Sequence, residues 1–151
     1  MSSVKDFQYV DEQFADIQLL HYKVAGFEDL PLAKKELIYY LTEAALWGRD
    51  ILFDQNGRYN LRIRRMLEAV YTKSNKEDRE SDDFKALEVY LKRVWFSSGI
   101  HHHYGCEKFV PGFSSAYLRS ALEKLPLNFL PLVEGQTLDE FCEEIFPVLF
   151  Y

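Results

Sequence analysis

The residues with the most chemical potential lie in one run, Ser97 to Phe113, SSGIHHHYGCEKFVPGF. Three consecutive histidines are followed closely by Cys106 and Glu107, so imidazole, thiolate and carboxylate zinc ligands all occur within a few positions. Adjacent residues point to opposite faces of a strand and diverge by about 100° around a helix, so three neighbouring imidazoles do not converge on one tetrahedral ion. At most two do so. In an extended segment His101 and His103 share a face, and Cys106 or Glu107 returns through a turn at Gly105. His101 and His103 are thus the candidate metal ligands. The competing reading, which we favour, has the histidines hydrogen-bonding within the fold or lining a groove, and a third has them facing a substrate.

No other run assembles catalytic chemistry. His-Glu-x-x-His does not occur, and His21, the one histidine outside the triplet, sits in a strand-like stretch. Ser97, Ser98, Ser114 and Ser115 lack a G-x-S-x-G setting, and nothing marks Cys106 as more than a packed thiol. No catalytic residue is assigned. The cluster RYNLRIRR supplies Arg58, Arg62, Arg64 and Arg65, whose forks suit phosphate or carboxylate. Against an acidic total, a charged helix face opposite the acidic loop is the better reading. Tyr39, Tyr40, Trp47, Tyr90 and Trp95 would suit a ligand pocket, but helical spacing among apolar neighbours favours core.

The elements that must position these residues are mostly helices. FADIQLLHYKV alternates Ile17, Leu19 and His21 against Leu20, Tyr22 and Val24, which predicts a short strand before a turn at Gly26. Asp29 and Pro31 signal a helix start, and Leu37, Ile38, Leu41, Ala44, Ala45 and Leu52 space out one long helix over 32–54, with Gly48 a tolerated weak point. Asn56-Gly57 predicts a turn. Asn60 then caps a second helix to about Tyr71, with Ile63, Met66, Leu67 and Val70 inward. KSNKEDRESDD over 73–83 reads as a solvated loop, and Ser81 or Asp82 caps a third helix bearing Phe84, Leu87, Leu91, Val94 and Trp95, which Gly99 ends. The histidines follow in an extended segment near 100–112, since Pro111-Gly112 stops any helix. A fourth helix from about Ser114 carries Tyr117, Leu118, Ala121 and Leu122. Thr137 to Glu140 is a capping box for a fifth, with Phe141, Cys142, Ile145 and Phe146 buried. The prediction is a mainly α fold, a bundle of about five helices with a short N-terminal strand, forming one domain over 1–151.

Composition fits that picture: 151 residues with 48% apolar content suffice for a core. Eighteen basic against 24 acidic residues give a net charge of −6, which argues against nucleic acid and anionic membranes as partners. The opening MSSVKDFQYVDEQF is no secretory signal, and no apolar run of about eighteen residues exists, so a cytoplasmic chain is expected, although a mature exported form would look the same. Two cysteines, Cys106 and Cys142, indicate no disulfide framework. The final FPVLFY is apolar where domain ends are usually polar. The expectation is therefore a piece of a longer polypeptide, whose exposed apolar surface favours a homo-oligomer.

Three segments, LIYYLTEAALWGRDILFDQN, FKALEVYLKRVWFSSGIHHHYG and EKFVPGF, resemble the N-terminal region of the dipeptidyl peptidase III family, zinc metallopeptidases that release dipeptides from peptide N-termini. The resemblance runs from about Phe14 to Phe113 and is nearest to bacterial, Bacteroidetes-type members. It implies a two-lobed parent hydrolase whose front contributes helices to a mixed lobe. It also implies zinc held by a His-Glu-x-x-x-His helix and a further Glu, and no such run occurs here. Zinc is thus a cofactor of the parent and not of this chain, whose partners would be the remainder of that polypeptide and, in the parent, peptide substrates. The alternative is a non-catalytic helical binding or scaffold domain related to the peptidase.

Overall fold

A computed structural model describes residues 7–151. The fold is mainly α, with one small antiparallel sheet. The chain divides into two compact units between Arg49 and Asp50.

In the first unit, β1 (Val10–Phe14) pairs antiparallel with β2 (Ile17–Leu20), with Phe14 opposite Ile17 and Val10 opposite Leu20. The predicted strand is present, but as the second arm of a hairpin. The first arm, VDEQF, has too little apolar alternation to announce itself. Ala15 makes the tight connection at φ 50°, and Gly26 turns the chain at φ 81° as expected. Helix α1 (Leu32–Trp47) follows, its start steadied by Lys35, which donates to the Glu28 carbonyl at 2.9 Å and lies over the Phe27 ring.

The long helix predicted for 32–54 is in fact two: α1 ends at Gly48 and α2 (Arg49–Gln55) begins after it. The expected inward stripe also differs, because α1 buries no residue, and Leu41 and Trp47 are 60% and 88% exposed. Spacing of apolar residues shows where a helix would bury a face, not whether anything covers it. Here Tyr39, Tyr40, Leu46 and Trp47 add a second apolar face beside Leu37, Ile38 and Leu41. Of the five aromatics expected in the core, Tyr90 alone is buried.

The second unit carries a continuous core built by α3 (Asn60–Lys73), α4 (Asp82–Ser97), α5 (Ser115–Glu123) and α6 (Leu138–Phe150). Helix α3 supplies Ile63, Met66, Leu67 and Val70, α4 supplies Leu87, Tyr90, Leu91 and Val94, α5 supplies Leu118 and Leu122, and α6 supplies Phe141, Ile145 and Leu149. Apart from Trp95 and the half-buried Phe146, Tyr117 and Ala121, these are the positions expected from period 3.6. Trp95 instead lies toward the surface, where its indole N–H donates to Glu68 at 2.8 Å.

Helix starts are fixed chemically. Ser81 accepts from the Phe84 N–H, Ser114 from the Tyr117 N–H, and Thr137 and Glu140 form the predicted reciprocal box. The polar stretch 73–83 is not wholly loose: Asp78–Glu80 forms a single 3-10 turn. Arg79 lies over Tyr71 and Phe84 and donates to the carbonyls of Tyr71 and Ser74, which draws that turn onto the helices.

Candidate functional site

The run Ser97–Phe113 is built on the end of α4. Ser98 adopts the left-handed conformation, φ 53°, that stops the helix, and the Gly99 N–H closes back onto the Val94 carbonyl. Gly99 was expected to end the helix, but the C-terminal cap is Ser98. The role of Gly99 is steric instead: a Cβ there would meet Asn60 Nδ2 at 2.4 Å. Asn60, expected as an N-cap, is the first residue of α3 and makes no cap, since Tyr59 precedes it in that place. Its buried side chain reaches across and accepts the Ile100 N–H at 3.3 Å.

From Ile100 the chain forms a narrow antiparallel loop. The Phe109 N–H donates to Ile100 O and the His102 N–H to Glu107 O, both at 2.8 Å, around a bridge of His101 with Lys108. The predicted extended segment is therefore a loop folded on itself. Three contacts hold it: Asn60 on α3 accepts the Ile100 N–H, the Tyr90 hydroxyl lies near the Phe109 carbonyl at 3.5 Å, and the loop's own Lys108 donates to the Val148 carbonyl of α6 at 3.1 Å. Burial pushes the Tyr90 hydroxyl pKa up, so it stays a neutral donor.

His101, His102 and His103 line one polar cleft of about 240 Å³ with Asn56, Asn60, Ser97 and Gly99. Asn56 forms its wall by donating to the Ser98 carbonyl at 3.2 Å. The Ser97 hydroxyl is buried and has no hydrogen-bond partner. The groove-lining reading of the histidines thus matches their placement. The rings that meet are His102 and His103, with centres 4.6 Å apart and planes at 29°. His103 also meets the edge of Phe96 at 4.9 Å, and Tyr104 lies 4.2 Å from it. His101, the other half of the pair proposed from spacing, lies opposite Lys108 in the bridge. Among the described residues no three His, Cys, Asp or Glu side chains gather as a metal-binding group. Cys106 is exposed and Cys142 buried, both as free thiols.

The arginine cluster does not face the acidic loop. Arg62 donates to Glu144 at 2.8 Å, to Gln136 at 2.6 Å and to the Pro131 carbonyl, tying α3 to α6. Arg64 and Arg65 both reach Asp50, at 2.7 and 2.6 Å, and the buried Arg64 guanidinium lies 4.6 Å from the centre of the Phe53 ring. Hydrogen bonds from Arg65 and Arg64 hold the Asp50 carboxyl below its ordinary range, and those from Arg62 and Gln136 do the same for Glu144. These cations are spent on structure, so they form no anion site. Sequence reasoning missed Asn60 as the loop's anchor, because an Asn before an apolar-periodic run reads first as a cap. It also missed Phe96, whose ring backs His103.

No helix among the described residues is long and apolar enough to cross a membrane. No protein-family model matches this chain, and no curated protein matches it either.

Proposed function

We propose that this chain is an N-terminal, predominantly helical part of a dipeptidyl peptidase III-like zinc exopeptidase, and that it supplies scaffold, not the zinc site. The observation that carries this reading is α1, apolar on two faces yet without one buried residue. Most of a helix's stability in a protein comes from packing, and a helix apolar on several sides belongs in an interior. That is the surface expected of a segment that docks against further protein, and α1 includes the first half of LIYYLTEAALWGRDILFDQN, one of the three stretches carrying the resemblance.

The side chains at hand do not fit the family's zinc. There is no His-Glu-x-x-x-His run, so no catalytic step is derived for this chain. The test is direct. The 151-residue chain, assayed with added zinc on dipeptidyl-naphthylamide substrates, is expected to give no turnover. The reading frame is expected to continue past Tyr151 into a His-Glu-x-x-x-His run. Turnover by the chain itself, or a frame without that run, overturns the proposal.

A second reading, a stand-alone helical binding or scaffold domain, is favoured by the second unit, whose four helices, three of them capped, share one continuous core. A stop codon after Tyr151 would select it.

A further inference from the structure

We infer that Asn56-Gly57 is a site of spontaneous covalent modification, where the native chain exchanges the Asn56 side-chain amide for a carboxylate beside the histidine loop. The Gly57 backbone nitrogen, after losing its proton to solvent base, attacks Asn56 Cγ. The new N–C bond closes a five-membered imide, and the Cγ–Nδ2 bond breaks as ammonia leaves. Water then opens the imide at either carbonyl. An aspartate or isoaspartate results at position 56, and the balance is one amide and one water for one carboxylate and one ammonium ion.

The chain has four asparagines, followed by Gly57, Leu61, Lys76 and Phe129, so at Asn56 alone does the attacking nitrogen belong to a residue with no side chain to hinder it. That nitrogen is also free to react. Among the described residues the Gly57 N–H donates no hydrogen bond, whereas the Phe129 N–H after Asn128 is held by the Pro126 carbonyl at 3.0 Å. Asn56 is exposed in the turn between α2 and α3, and its Nδ2 is held by one bond, to the Ser98 carbonyl at 3.2 Å. Asn60 is buried, and the Asn75 Oδ1 accepts the Asp78 N–H at 2.8 Å. The fold keeps the labile pair for a steric reason, since a Cβ at Gly57 would meet Asn60 Nδ2 at 2.9 Å.

The modification acts on the histidine loop. Asn56 walls the cleft by donating to the carbonyl of Ser98, the residue that caps α4. A carboxylate has no proton to donate there, so oxygen faces oxygen, next to the negative end of the α4 dipole. An isoaspartate also lengthens the backbone of the turn by one carbon. Either product releases the end of α4 from the turn and loosens the loop that follows it. This site is independent of the peptidase reading.

Ageing the folded 151-residue chain for days at mildly alkaline pH and physiological temperature, then mapping its peptides by mass spectrometry, tests the inference. The peptide holding Asn56 is expected to gain the one-dalton mass of the amide-to-acid exchange about tenfold or more faster than those holding Asn60, Asn75 and Asn128. Asn56→Gln, whose closure needs a larger ring, should abolish that gain. In Asn56→Asp, hydrogen exchange of the His102 and Phe109 amides should quicken about fivefold, and the aged wild-type chain should approach the same rates. The inference is overturned if Asn56 lasts as long as Asn75 and Asn128, or if the gain appears in the urea-unfolded chain and not in the folded one. An Asn56→Asp variant whose loop exchanges like wild type overturns the effect assigned to the modification.

Discussion

Substituting Gly99 by Ala tests how the histidine loop is anchored. The added methyl would lie 2.4 Å from Asn60 Nδ2 and 2.9 Å from its Cγ. Asn60 cannot simply swing clear, because it is 3% exposed and its Oδ1 holds the Ile100 N–H. Two responses are open. Overpacking in place costs about 1–3 kcal/mol, and moving the amide away leaves a buried N–H unpaired, also about 1–3 kcal/mol. The chain takes the cheaper, so Gly99→Ala should destabilise by about 2 kcal/mol. Asn60→Ala alone should cost about 1–3 kcal/mol by orphaning the same N–H. In the double variant the clash is gone and the hydrogen bond is already lost, so its cost should match Asn60→Ala and fall short of the sum by the Gly99→Ala cost, about 2 kcal/mol. Urea denaturation followed by circular dichroism, with equal slopes across the four proteins, measures this. Additivity to within about 0.5 kcal/mol would refute the steric account.

The same substitution at Gly48 should act the other way. A Cβ there meets only the Ala45 carbonyl at 3.5 Å and the backbone is in the right-handed region, so Gly48→Ala should stabilise by about 0.4–1 kcal/mol in the same urea experiment. Thr137→Ala removes one half of the capping box and should cost about 1 kcal/mol, with the loss visible as earlier thermal melting of α6 by hydrogen exchange. The depressed carboxyl groups set the acid limb of stability. Asp50 and Glu144 titrate lower when folded than when unfolded, so their contribution is complete above the ordinary carboxylate range and is lost as pH falls through their folded values. Urea midpoints should be flat from about pH 7 to 5 and fall below about pH 4, and Asp50→Asn should lower the neutral plateau while making that fall shallower. An unchanged acid slope in Asp50→Asn would remove the Arg64–Asp50–Arg65 cluster from the explanation.

The sequence by itself determined α3, α4, α5 and α6 and most of their inward faces. Period 3.6 among Ile63, Met66, Leu67 and Val70, or among Leu87, Leu91 and Val94, needs only local geometry to be read. The capping box at Thr137 was legible for the same reason, since donor and acceptor lie within one turn, and the structure chooses Ser81 over Asp82 and adds Ser114 as a cap that the sequence reading did not assign. What required the tertiary structure was every relation between distant residues. Asn60 looked like a cap until Ile100, forty positions on, claimed its oxygen. Arg62, Arg64 and Arg65 looked like a solvated face until Glu144 and Asp50 came within reach. The apolar stripe of α1 looked like core, yet burial depends on what lies opposite, which no periodicity encodes. The histidine triplet shows the same division at the shortest range. Residue types announced the chemistry, but a bend, not a strand or helix, chose His102 and His103 as the rings that meet. Side-chain direction follows backbone dihedrals, and in an irregular loop only packing against α3, α4 and α6 sets those.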